Sequence, residues 1–421
     1  LHPKALLNQA TELLRAVTAF DQPADAVVST YFRRQRALGP RERHALAETT
    51  YAVLRRRLSF QHVAQGGPGA LERRLALLGW QGERRMLEAA LDDAERNWMA
   101  GLAKAGANTL GPDKLRHNLP DWLAGALHQQ MDDTEFRALT DALLEPAPLD
   151  LRINTWKTKR EDVQRALQDS GIAASPTPYS AWGLRIAGRL AVNASTAFRD
   201  GWFEVQDEGS QLLAALLDAK RGEMVVDFCA GAGGKTLALG ASMRNTGRLY
   251  AFDTSGHRLE AMKPRVVRSG LSNVHAVRIA HERDERVKRL AGKIDRVLVD
   301  APCSGLGTLR RNPDLKWRHN PEAVAEMRQR QEVILAGAAK LLKPGGRLVY
   351  ATCSLLDIEN EGVAQIFEQA HPQFETVAAL DSLEQARVER AGELVQGTRL
   401  RLAPHRHGTD GFYAAVWQRK S

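Results

Sequence analysis

Apolar positions change their spacing twice along the chain. In the first ~115 residues they recur at helical intervals, in Ala5-Leu6-Leu7 through Leu13-Leu14 and again from Ala45 through Val53, Leu54 and Leu58. Gly39-Pro40 interrupts this pattern, as expected where one helix stops and another starts. Near Pro146 and Pro148 the spacing turns to alternation: Leu149–Asn154 and Gly183–Ile186 read as strands. Thr158-Lys159-Arg160-Glu161 has capping-box form and predicts a helix running to about Gly171. From about residue 206 the pattern becomes strand, helix, strand, helix. Strands are predicted at Met224–Phe228, Arg248–Phe252, Val274–Ile279, Ile294–Val299 and Arg347–Ala351, with a long helix from about Pro321 to Leu342. Such alternation implies a mainly parallel, doubly wound α/β sheet with helices on both faces. The expected domains are a helical one over 1–125, a small α+β module with a helical linker over 126–205, and an α/β domain over 206–421.

Composition adds boundaries. A chain of 421 residues exceeds one ordinary core. No run approaches the ~20 apolar residues of a membrane helix, and no charged-then-apolar leader is expected. The net charge of +9 suits a polyanionic partner such as nucleic acid. Arginine clusters at Arg33-Arg34, Arg36, Arg41, Arg43 and Arg55–Arg57 interleave with the first helices and could line a phosphate-binding face, although any one of them reads equally as solvated helix surface. The three cysteines, Cys229, Cys303 and Cys353, form no C-x-x-C pair. That argues against a disulfide framework or a zinc ribbon, and suits a reducing cytoplasm.

The candidate chemistry starts at Val225–Thr236, where an apolar run enters Cys229-Ala230-Gly231-Ala232-Gly233-Gly234-Lys235 and then a helix. Glycines let a ligand approach the backbone, and a helix start offers free N–H groups. A phosphate P-loop would need glycine where Cys229 stands, and a dinucleotide fingerprint would need glycine at Thr236. A loop for S-adenosylmethionine fits better, since it needs close approach without a pyrophosphate cradle. Asp253 ends the next strand, where a ribose diol is held in such sheets. Asp300-Ala301-Pro302-Cys303-Ser304 follows Val297–Val299, and Thr352-Cys353-Ser354 follows Leu348–Ala351. All three thiols therefore fall at the carboxyl ends of predicted strands. Burial as small apolar residues would account for one of them, not for all.

Taken together, the loop at Cys229–Thr236, Asp300-Ala-Pro-Cys303-Ser, Thr352-Cys353-Ser354, Gln206–Gln211 and Thr409–Tyr413 resemble the NOL1/NOP2/Sun RNA (cytosine-5) methyltransferases. The resemblance implies a Rossmann-like class I methyltransferase domain, a ferredoxin-like module before it and a NusB-like RNA-binding domain at the start. It implies S-adenosylmethionine as cofactor with no metal, and RNA as partner, 16S ribosomal RNA foremost, with transfer RNA the alternative substrate. It assigns Cys353 as the nucleophile that attacks carbon 6 of a cytosine and Cys303 as the group that releases the product. Cys229 through Lys235, Asp253 and Asp300 would hold the cofactor. The chain carries Ala232 where the family loop carries proline. The acid expected on the adenine side is Glu282 or Asp284. Lys235 is a candidate neighbour that favours a thiolate at Cys353. Arg310, Arg311, Lys316, Trp317 and Arg318 read as RNA contacts. A cytoplasmic monomer is expected. Two rivals remain: a DNA cytosine methyltransferase, and a catalytically silent RNA-binding or assembly factor on the same fold.

Overall fold

The structure, a computed structural model, describes residues 1–105, 113–188 and 191–421. The stretch 106–112 of the first helical region thus lies outside the described residues. Two compact units emerge: 1–146 with 308–320, and 147–307 with 321–421.

The first unit is helical. The helix Pro3–Val17 buries Leu6, Leu7, Ala10, Leu13, Leu14 and Val17, a single stripe at three- and four-residue spacing. Gly39 caps the helix Pro40–Arg55, with Pro40 in its first turn and Glu42 reaching back to the Gly39 N–H at 2.6 Å, which is why the helical pattern restarts there. Arg33, Arg34, Arg36 and Arg41 are exposed, whereas Arg55 is buried and donates to the Arg310 carbonyl at 2.8 Å.

The segment 308–320 also belongs to this unit, and burial there removes Lys316 and Arg310 from the RNA contacts expected of Arg310, Arg311, Lys316, Trp317 and Arg318. Lys316 is 2% and Arg310 6% exposed. Lys316 Nζ donates to the Arg55 carbonyl and Trp317 Nε1 to that of Leu54. Burial, with Arg55 and Arg56 nearby, brings the Lys316 ammonium down to about 7.

The second unit carries two sheets. The smaller is antiparallel, in the order β2-β3-β1-β4, from β1 (Leu149–Ile153), β2 (Ala174–Pro176), β3 (Gly183–Ile186) and β4 (Phe203–Val205). The helix Arg160–Asp169 packs on it through Val163 and Leu167. Its cap is Lys159 with no side-chain bond, so the expected Thr158 box does not form: the Thr158 hydroxyl turns to the Lys159 carbonyl.

The larger sheet contains β5 (Met224–Asp227), β6 (Arg248–Asp253), β7 (Val274–Arg278), β8 (Ile294–Asp300), β9 (Leu342–Thr352), β10 (Phe374–Val377), β11 (Val395–Gln396), β12 (Arg399–Leu402) and β13 (Phe412–Arg419). Its order is β11-β12-β13-β9-β8-β5-β6-β7, with β10 on β13. The β7-β6-β5-β8-β9 core is parallel, and β13 is antiparallel to β9. Alternate residues feed two cores. Val225, Leu298, Val349 and Ala414 enter one, and Val226, Val297, Leu348 and Ala415 the other. Burial on both faces explains the nearly unbroken apolar runs. The chain leaves β5 towards β6 and returns to its other side as β8, so the switch point lies between β5 and β8, where such sheets open a crevice.

Candidate active site

The crevice is a cleft of about 1090 Å³ at the carboxyl ends of β5 to β9. Register brings the chemistry together. Asp300 of β8 pairs with Ala351 of β9, so Cys303 and Cys353 leave neighbouring strands, which lie ~4.8 Å apart in a sheet. Their sulfurs are 3.5 Å apart and both line the cleft, as does Cys229. All three are free thiols. The hydrogen bond to Cys353, with burial, pushes the Cys303 thiol well above the usual range, so Cys303 keeps its proton. Burial, with Asp227, Asp300 and Asp253 close by, raises Cys229 strongly as well, which leaves it unsuited to ionise.

Lys235, in the first turn of the helix Gly234–Ser242, donates to Asp300 Oδ2 at 2.5 Å. Burial opposes its charge, but the Asp300 carboxylate outweighs burial and raises the ammonium above the ordinary lysine value, with Cys353 adding to the effect. A cation is thus fixed on the β8 acid, near enough to Cys353 to feel its charge.

The glycine loop forms as a turn at the end of β5. Cys229, Ala230, Gly231, Ala232, Gly234 and Lys235 line the cleft. Gly231 has φ +56°, and a Cβ there would meet open space, so its backbone is left bare to an incoming group. Gly233 is turned away: at φ +87° its Cβ would lie 2.5 Å from Met262 Cγ. Asp253 Oδ2 accepts from Gly231 N at 2.8 Å and Oδ1 from Ser255 N at 2.7 Å. The β6 tip thereby braces the loop, and Ser255, not Asp253, caps the following helix. Beyond β7, Glu282 lines the cleft, whereas Asp284 caps the short helix Glu285–Lys288 and accepts from Ala280 N and Arg286 N.

Several lining residues carried no sequence signal of their own. Ile279, Val333 and Ile334 form an apolar wall; Gln206, Arg258 and Arg330 also face the cleft. Asp227 lines it too, is 1% exposed, accepts from Thr236 through Oδ2 and has no partner at Oδ1. Burial lifts its carboxyl to about 7. That orphaned buried oxygen, the bare Gly231 backbone, the acids at successive strand tips and the apolar wall fit a ligand with an ammonium at one end, hydroxyl donors in the middle and a flat ring at the other. S-adenosylmethionine has that character. Among the described residues no cluster could hold a metal ion, and no helix is long and apolar enough to cross a membrane.

Comparison with known proteins agrees with this geometry. Residues 214–418 match the family model described as 16S rRNA methyltransferase RsmB/F, and residues 119–193 match its ferredoxin-like domain. The chain is 30% identical to a protein of Synechocystis named "Probable ribosomal RNA small subunit methyltransferase B", over 96% of this chain and 97% of that protein. It is 34% identical to the ribosomal RNA small subunit methyltransferase B of Serratia proteamaculans, over 71% of this chain and 66% of that protein. A solved methyltransferase homologue from Pyrococcus horikoshii superposes with a TM-score of 0.62 at 28% identity, over 72% of this chain and 97% of that one. The chain belongs to the RsmB/F family of S-adenosylmethionine-dependent RNA methyltransferases, within the NOL1/NOP2/Sun group.

Proposed function

We propose that the protein methylates carbon 5 of a cytosine in 16S ribosomal RNA, in the cytoplasm, through a covalent bond between Cys353 and carbon 6. The observation that carries this reading is the pair of sulfurs 3.5 Å apart in the lining of a cleft that the glycine loop also lines. Two sulfurs at that separation can address the adjacent atoms C6 and C5 of one ring. The choice of RNA rests on the family description and on the relatives' names.

The loop from Cys229 to Lys235 would hold the cofactor, with Asp253 on its ribose, Glu282 and the apolar wall on its adenine side, and Asp300 next to its methionine portion. Gly233 would act indirectly, by letting the loop pack on Met262. Bound S-adenosylmethionine supplies an electrophilic methyl group on sulfur.

The Cys353 thiolate, near the Lys235 ammonium, adds to C6. The C5–C6 π pair moves to C5, which takes the methyl group as the sulfonium–carbon bond breaks. A base then removes the C5 proton and the pair re-forms the double bond, expelling the Cys353 sulfur. The resemblance assigns this step to Cys303, whose thiol must first give up its own proton to solvent; a thiol whose pKa is raised is the stronger base once ionised. The target base must leave its stack to reach the sulfurs, which favours a loop or an opened stem.

The test uses two variants. Cys353→Ala should abolish methylation while the cofactor still binds, and Cys303→Ala should accumulate protein covalently attached to RNA. Bisulfite sequencing of ribosomal and transfer RNA from cells with and without the gene identifies the substrate. Wild-type turnover by Cys353→Ala would refute the mechanism.

A further inference from the structure

The geometry points to Glu359 as a positioning residue that sets the spacing of the two reactive sulfurs by clamping the chain beside each thiol. The inference rests on the paired-thiol reading above.

Glu359 lies just past β9, before the helix Glu361–Ala370, and is fully buried. Its carboxylate is met by four donors. Oε1 accepts from the Ser304 N–H at 2.8 Å and from Gln331 Nε2 at 3.0 Å. Oε2 accepts from the Ser304 and Ser354 hydroxyls, both at 2.5 Å. Ser304 directly follows Cys303, and Ser354 directly follows Cys353. One carboxylate therefore holds the residue after each thiol, and the two hydroxyls stand 3.2 Å apart, just as the two sulfurs stand 3.5 Å apart. Gln331 extends the grip backwards, since Nε2 also donates to the Pro302 carbonyl at 2.9 Å.

A purely structural role explains this poorly. Burying a carboxylate is costly, and two serines can pair without one. A carboxylate does offer two oxygens in a fixed plane that accept from both loops at once. The chemistry needs that rigidity, because attack at C6 and proton removal at C5 must reach neighbouring atoms of one ring, and ~1 Å of misplacement can cost ~100-fold in rate. Glu359 is itself anchored, its carbonyl accepting from the Tyr350 hydroxyl of β9 at 2.6 Å.

The experiment compares wild type, Glu359→Gln and the double variant Ser304→Ala/Ser354→Ala in the full chain. Gln keeps the size but replaces one acceptor oxygen with a donor. Four quantities are measured: cofactor affinity, KM for RNA, kcat, and the rate at which diamide joins Cys303 to Cys353, followed as the loss of two hydrogens by mass. That last rate reads thiol geometry without RNA or methyl transfer. Both variants are expected to keep cofactor affinity and KM within about two-fold, to lose kcat by ~10- to 100-fold, and to form the disulfide more slowly. Wild-type kcat and disulfide rate in both variants would overturn the inference. So would a fall in kcat with an unchanged disulfide rate, which would give the carboxylate another role. Loss of cofactor affinity in step with kcat would reduce Glu359 to a packing residue. If Glu359→Gln does not fold, the double variant decides by the same criteria. Failure of the paired-thiol mechanism itself would show separately, as methylation by Cys353→Ala.

Discussion

Replacing Gly307 with alanine should damage both the fold and the reaction, and the reason is backbone crowding. Gly307 is buried where three segments cross. Its N–H donates to the Cys353 carbonyl at 2.8 Å, and its carbonyl accepts from Gly411 N at 2.8 Å. A methyl group on its Cα would lie 2.1 Å from the Gly411 oxygen and 2.8 Å from the Cys353 oxygen. Carbon–oxygen contacts normally begin near ~3.3 Å, so the segments must separate by about 1 Å. No side-chain rotation relieves this, because the three nearest atoms are all main chain. Overpacking of this kind costs ~1–3 kcal/mol, and weakening two buried hydrogen bonds adds ~1–2 kcal/mol. One of the atoms displaced is the carbonyl of Cys353, so methylation should fall on the order of 100-fold. Urea unfolding followed by circular dichroism measures the first effect and single-turnover methyl transfer the second. Gly125→Ala is the control. That residue is exposed in the helix Asp121–His128 with open space at its Cβ, and alanine there should stabilise by up to ~1 kcal/mol. A Gly307→Ala protein with the urea midpoint and single-turnover rate of wild type would refute the crowding argument.

Two further outcomes follow from the acids of the cleft. Asp227 has its carboxyl raised by burial from 3.8 to about 7, so between those values the native chain holds a proton that the unfolded chain has released. Stability should therefore fall as pH rises from 4 to 7, by on the order of 4 kcal/mol, and Asp227→Asn should flatten that fall; urea midpoints at pH 5 and 8 that shift equally in both proteins would contradict this. Lys235→Met removes the cation bound to Asp300 and should cut methyl transfer by ~100-fold or more, because the attacking sulfur loses the positive charge beside it; single-turnover methyl transfer at the wild-type rate would rule out that role.

Much of the candidate site was legible because its glycines, acids and thiols sit where strand periodicity ends. An apolar run followed by glycine, acid or thiol marks a strand tip, and parallel strands in register place their tips side by side. β5, β6, β8 and β9 could be read this way, and with them Cys229, Asp253, Asp300, Cys303 and Cys353. The antiparallel edge was not. β13 is almost wholly buried along Phe412–Trp417, so it lacks alternation, and its place beside β9 depends on pairing with Thr352 through Arg347, which no local pattern encodes. Lys316 misled for the opposite reason. A basic, aromatic stretch close to Cys303 in sequence reads as an RNA contact, yet its ammonium is spent on the Arg55 carbonyl inside the helical unit.

The same contrast separates the atoms that react from the atoms that aim them. A nucleophile needs a particular element in a particular place, so Cys303 and Cys353 stand out as candidates by residue type. A clamp needs only a hydrogen-bond acceptor at the right spot, and serine, glutamine and glutamate occur everywhere on protein surfaces. Ser304 and Ser354 are informative only once β8 and β9 are known to be neighbours, for then residues one past each thiol must face each other across the strand gap. Two hydroxyls so placed can share a single acceptor, and a carboxylate a few residues beyond β9 can reach both. The sequence holds Glu359 five residues after Ser354, but distance along the chain gives it no priority over Asp357 or Glu361. Arg401 and Arg399 pair with those two acids, which leaves Glu359 as the carboxylate turned inward to the thiol-bearing loops.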